Sequence, residues 1–233
     1  MLTVSRFTRN DFLGISLSAA CILASPTGYA NIIDTTYGVG AGSFEPGTFV
    51  NNGVSGYTYM SLPPGATTIT GWTVGGPGDG VDWLLSPSFR VDTGVHAVDL
   101  RLGTASSIAT TIPTVVGSIY RLSFGAASVV NGNNTGIVSA GSLLNEAFTA
   151  PFSAAFSSQT FQPLSFLFTA LGPTTTIQFT ATGSSAPGYY GPAIDTVNVD
   201  LAVPLPLPSS ILLFGTGLVG MLGSGLMRNK PAA

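Results

Sequence analysis

Three segments of the chain place an apolar residue at every second position: Tyr120-Leu122-Phe124-Ala126, Leu164-Phe166-Phe168-Ala170 and Val197-Val199-Leu201. Side chains alternate between the two faces of a β-strand, so each segment buries one face and turns the other outward. In the first segment Arg121 and Ser123 take the outward side. Strands of this kind cover their apolar faces by packing as two sheets, so the expected fold is an all-β sandwich. Strands read at Ile69–Val74, His96–Leu102, Ile108–Ile112, Ile119–Ala126, Leu164–Ala170, Ile177–Ala181 and Ile194–Leu201. Turn residues separate them, and no long stretch from Asn31 to Ala202 has helical apolar spacing. Val129-Val130-Asn131-Gly132 and Gly136-Ile137-Val138 read as a hairpin around residues that tolerate positive φ.

Charged residues make up only 7% of the chain while hydrophobic content is 45%. A chain that apolar and that weakly charged is not a solvated coil. Its polar surface must come from Thr, Ser, Asn and Gly, a composition that suits exported β-rich proteins. Residues 31–202 hold nine acidic residues against Arg90, Arg101 and Arg121, a balance of −6. Phosphate neutralisation needs clustered Lys and Arg, so no nucleic-acid partner is expected. The single cysteine, Cys21, excludes an intramolecular disulfide framework and a cysteine-based zinc site.

Both ends differ from the middle. Arg6 and Arg9 precede an apolar stretch from Phe12 to Ala24, then Pro26, with small residues at Gly28 and Ala30. This is the layout of a signal peptide over residues 1–30, cleaved after Ala30. At the other end lies a tail over 203–233, with a proline-rich motif at 203–208, an uncharged apolar run at 211–227 and a basic end at 228–233. As a helix the seventeen residues from Ile211 to Met227 rise about 26 Å. They read as one short transmembrane helix whose far end Arg228 and Lys230 hold on the cytoplasmic side.

This tail resembles the PEP-CTERM sorting signal of Gram-negative bacteria. Val203, Pro204, Leu205 and Pro206 correspond to its Val-Pro-Leu-Pro variant, with Leu205 where the commoner form carries Glu. The resemblance implies handling by an exosortase-type transpeptidase, with inner-membrane anchoring before processing and a cell-surface or matrix location after it. The body, 31–202, resembles through most of residues 41–201 the choice-of-anchor C family, bacterial relatives of a plant cell-wall domain. Gly42-Ser43-Phe44-Glu45, Ile69-Thr70-Gly71-Trp72-Thr73-Val74, Gly80-Val81-Asp82-Trp83, Ala97-Val98-Asp99-Leu100 and Gly191-Pro192-Ala193-Ile194-Asp195-Thr196-Val197 match in order and spacing. That resemblance implies a galactose-binding-like jelly roll acting as a non-catalytic carbohydrate-binding or adhesive module associated with exopolysaccharide or biofilm. The alternatives are a structural envelope protein without a specific ligand and a polysaccharide-acting hydrolase.

The residues offer little catalytic chemistry. His96 is the one histidine, no Gly-x-Ser-x-Gly elbow occurs, and Asp99 would point to the opposite strand face from His96. His96 reads as a solvent-facing strand start. Among Glu45, Asp82, Asp99 and Asp195 no pair stands out as glycosidase carboxylates. Jelly rolls of the kind implied often hold a structural Ca²⁺ between first and last strands, for which Glu45, Asp195 and Asp99 are the candidate ligands. Trp83, Tyr189 and Tyr190 are the candidate sugar-stacking aromatics, while Trp72, among alternating strand residues, reads as core. Mass spectrometry of the mature protein is expected to show an N-terminus at Asn31 and a cut near Pro206; an intact 233-residue mass would refute both.

Overall fold

A computed structural model describes residues 30–54, 56–100, 106–128, 134–152, 156–184 and 190–202. The expected signal peptide up to residue 29, the tail at 203–233 and Tyr189 lie outside these residues. Among the described residues no helix is long and apolar enough to cross a membrane.

The described residues form one short α-helix, α1 (Ile32–Tyr37), two 3₁₀ turns (Ala41–Ser43 and Phe156–Ser158) and eleven strands: β1 (Tyr59–Leu62), β2 (Thr73–Gly75), β3 (Val81–Leu85), β4 (His96–Asp99), β5 (Ser107–Pro113), β6 (Ile119–Ser128), β7 (Asn134–Ala140), β8 (Leu144–Ala150), β9 (Gln162–Thr169), β10 (Thr174–Ser184) and β11 (Pro192–Leu201). They make two antiparallel sheets packed as a jelly-roll sandwich, in the orders β1-β3-β4-β11-β6-β9 and β2-β5-β10-β7-β8. The expected hairpin across Gly132 is corrected here. β6 pairs with β11 and β9 while β7 pairs with β10 and β8, so the chain crosses from one sheet to the other between Ser128 and Asn134.

The core lies between the sheets, where the alternating residues meet. Tyr120, Leu122, Phe124 and Ala126 of β6 are buried, as are Ile177, Phe179 and Ala181 of β10. Phe124 sits edge-on to Phe179 at 4.8 Å and to Phe148 at 5.2 Å. Trp72 is core as expected, 4.8 Å from Phe44, with its indole N–H donating to the Ala41 carbonyl at 2.8 Å. Each such side chain contributes about 1.5–3 kcal/mol by leaving water.

In β11 the buried residues Ile194, Val197 and Val199 are not all two apart. A bulge restores the phase: four residues from Asp195 to Asn198 oppose three from Gly125 to Ser123, with Thr196 at φ 53°. Against this bulge the chain docks its entry. The Asn31 side chain accepts from the Ile33 and Val199 amides at 3.1 Å and donates to the Val197 carbonyl at 2.9 Å, capping α1 and fixing it to β11 together. The side chains of Asn51 and Asn52 occupy the free edge of β1, pairing with the backbone of Tyr59 and Ser61. Replacing Asn31 by Ala strips an acceptor from two amides and is expected to cost about 2–3 kcal/mol in a denaturant titration. Asn31→Asp, which keeps the acceptor, should cost less.

Candidate functional site

The outer face of the six-stranded sheet is built of small residues at its centre. Ala97, Ala193 and Ala127, from neighbouring strands, form with Leu84, Phe89 and Phe161 a second apolar cluster apart from the main core. Phe89 belongs to the loop 86–95 that joins β3 to β4, so this loop lies back over the sheet instead of projecting from it.

Two carboxylates hold the loop. Glu45 Oε1 accepts from the Val95 amide at 2.9 Å and the His96 amide at 3.0 Å. Asp195 Oδ2 accepts from the Asp92 amide at 2.8 Å and the Thr93 amide at 3.0 Å, while its Oδ1 accepts from Thr196 at 2.6 Å. A side chain at position 94 would collide with Glu45, its Cβ falling 2.2 Å from Oε1, and φ there is +65°, so Gly94 suits the clamp on both counts. Gln159 adds a bond to the Arg90 carbonyl at 3.2 Å.

Beside the clamped loop the sheet face is aromatic and acidic. Tyr57 and Tyr59 flank Phe89 at 5.8 and 6.2 Å. Tyr190 stands two residues before β11, and it and Tyr57 are each 38% exposed. Burial and then the Asp99 carboxylate, with Tyr59, Tyr57 and Asp82 also contributing, raise the Tyr190 phenol above its ordinary pKa. Tyr190 is thus close enough to Asp99 and Asp82 for its phenol to feel both charges. Asp82 and Asp99 are cross-strand partners. Ser61 donates to Asp82 at 2.6 Å, and Asp99 accepts from the Gly191 amide at 2.8 Å, fixing the residue next to Tyr190. A cleft of about 440 Å³ opens on the loop itself, with Phe89, Arg90, Asp92 and Ser157 among its walls.

Against this geometry the expectations divide. Tyr190 is partly exposed on the aromatic face, as a sugar-stacking residue must be. Trp83 is corrected: it is fully buried, its indole N–H donates to the Phe44 carbonyl at 3.0 Å, and its ring is covered by His96 at 4.6 Å and Phe49 at 5.3 Å. It offers no face to a ligand. His96 is corrected as well, since it is buried against Trp83 with Nδ1 3.2 Å from Glu45 Oε2. Glu45, Asp195 and Asp99 do not converge on one point; each accepts from backbone amides, and among the described residues no group of three His, Cys, Asp or Glu could hold a metal ion. Tyr57 and Tyr59 were missed, although their spacing two apart beside Gly56 is a signal that both can share one face.

The sequence matches, over residues 40–200, the family described as "Protein of unknown function (DUF642)". The chain belongs to the DUF642 family. This is the plant cell-wall family toward which the resemblance of residues 41–201 pointed, and it leaves the tail outside the match. No curated protein matches the sequence. Solved structures similar to the DUF642 domain in fold include a Stig cyclase, Fisc from Fischerella sp. TAU, at 15% identity over 71% of this chain and 96% of that one, with a TM-score of 0.48. A family 35 carbohydrate binding module from Clostridium thermocellum shares 15% identity over 61% of this chain and 99% of its own, with a TM-score of 0.42. TmCBM61, in complex with β-1,4-galactotriose, shares 15% identity over 56% and 88%, also at 0.42.

The clamp is sensitive to pH. Burial pushes the Asp195 carboxyl from 3.8 up to about 7, outweighing the amides of Thr93, Thr196 and Asp92 that pull it down. The unfolded chain loses this proton near pH 4 and the folded chain near 7, so between these values the folded state holds the extra proton. Stability is therefore expected to fall as pH rises from about 4.5 to 7.5. Thermal melts across that range check it, and Asp195→Asn should flatten the slope.

Proposed function

We propose that this protein is exported and sorted to the cell surface or extracellular matrix, where its DUF642 domain binds saccharide without catalysis on the face formed by Tyr57, Tyr59 and Tyr190. One observation supports this most directly: partly exposed phenol rings share a sheet face with the half-buried Asp82 carboxylate, beside a loop that two carboxylates hold in place. Aromatic faces pack against the C–H faces of pyranose rings, and carboxylates accept strong hydrogen bonds from sugar hydroxyls. A site with its side chains already positioned loses little entropy on binding. The sparse charge of the domain suits neutral polymers, and exopolysaccharide of the envelope or biofilm is the ligand class we assign to it.

The sequence of the ends supports the route. The leader up to Ala30 would be removed on export, and Asn31, which caps α1 and grips β11, is then the first residue of the mature chain. The tail from Val203 would engage an exosortase-type transpeptidase through Val203-Pro204-Leu205-Pro206 while residues 211–227 rest in the inner membrane.

Calorimetric titration of the protein with a panel of soluble polysaccharides tests the binding. At least one is expected to bind, and Tyr190→Ala should weaken it about ten-fold, or about 1.4 kcal/mol, with an unchanged melting temperature. Absence of binding across the panel, or full affinity in Tyr190→Ala, would refute the reading.

A further inference from the structure

The end of the sandwich opposite Tyr190 is formed by three turns. Residues 114–118 join β5 to β6, 141–143 join β7 to β8, and 170–173 join β9 to β10. They are bonded into one surface. The Gly117 amide donates to the Ala170 carbonyl at 2.8 Å, the Thr114 amide to Pro173 at 2.9 Å and the Gly141 amide to Thr176 at 3.0 Å, while the Thr114 and Thr175 hydroxyls meet at 3.0 Å. Each turn carries a large aliphatic side chain facing water: Val116 is 63% exposed, Leu143 58% and Leu171 60%. Val115 is exposed beside Val116, and none of the three turns contains a charged residue.

The chain leaves the domain at this same end, where the Ala202 amide donates to the Ile119 carbonyl at 2.9 Å. Eight residues then separate Ala202 from the uncharged run that begins at Ile211. Even fully extended they reach about 25–30 Å, roughly the length of β11 itself. If residues 211–227 rest in a bilayer, as the tail reading above holds, this end of the domain is the one kept beside it.

We infer that this end is a lipid-contacting surface, with Val116, Leu143 and Leu171 entering the bilayer interface. Three separate tips without charge cross the headgroup region with no ionic desolvation penalty, and each apolar side chain gains by leaving water. No basic residue lies on the turns, so the contact needs no anionic lipid.

The test uses the full chain carrying Cys21→Ser and a single cysteine in place of Val116, Leu143 or Leu171, labelled with a polarity-sensitive fluorophore. Val54, exposed on the loop before β1, serves as the control position. Reconstituted into phosphatidylcholine vesicles, the three tip labels should shift to the blue and be quenched by nitroxide-bearing lipid, and the Val54 label should do neither. Adding phosphatidylglycerol should leave the result unchanged. Chains that float with the vesicles while their tip labels stay water-like would overturn the inference and leave the tail reading standing. Chains that fail to float would overturn both. Blue-shifted labels that nitroxide lipid does not quench, with chemical cross-links between chains, would replace lipid by a second copy of the protein.

Discussion

A single extra residue in β11 sets much of this structure. The bulge at Thr196 lets Ile194 and Val197 both point into the core although they are three apart. Without it one of them would face outward and the strand would lose its fit between β4 and β6. Just before the bulge, Asp195 faces the outer side next to the inward Ile194 and meets the Asp92 and Thr93 amides. The bulge also leaves the Val197 carbonyl open to Asn31. Core packing, loop placement and the docking of the helix at the domain's entry therefore meet at one backbone irregularity.

The scarcity of charge has a counterpart in how the charges are used. Glu45, Asp99 and Asp195 each accept hydrogen bonds from backbone amides, so they organise loops that contain no regular pairing of their own. Backbone amides buried under a folded-back loop need acceptors, and a carboxylate is the strongest available. The carboxylates that suggest cation ligands in the sequence thus meet a demand of the backbone here. The loop so held is what gives the tyrosine face one of its borders, through Phe89.

β6, β9 and the end of β11 were legible from period-two alternation over residues 120–126, 164–170 and 197–201. β3 was not, because the 86–95 loop covers its outer side and buries Leu84 as well as Trp83, which erases the alternation. β8 was hidden by Asn145, Glu146 and Ala147, exposed in succession at a sheet edge. α1 has six residues, too few for a helical period to show. Trp83 shares a strand face with Val81, opposite the half-exposed Asp82, so its burial could have been read from the local pattern. The gathering of Tyr57 and Tyr59 with Tyr190 depends on contacts across 131 residues or more, and no local pattern encodes that.

β11 has one further property. It is a central strand, paired along its length with β6 and near its start with β4, and it runs from Tyr190 to the chain's exit after Ala202. Hydrogen bonds in an antiparallel ladder lie perpendicular to the strand, so tension along it strains them together instead of one at a time. A polymer gripped at the tyrosine face and an attachment beyond Ala202 would pull on opposite ends of this strand. The domain would then carry the load in shear, the direction in which a sheet resists rupture best.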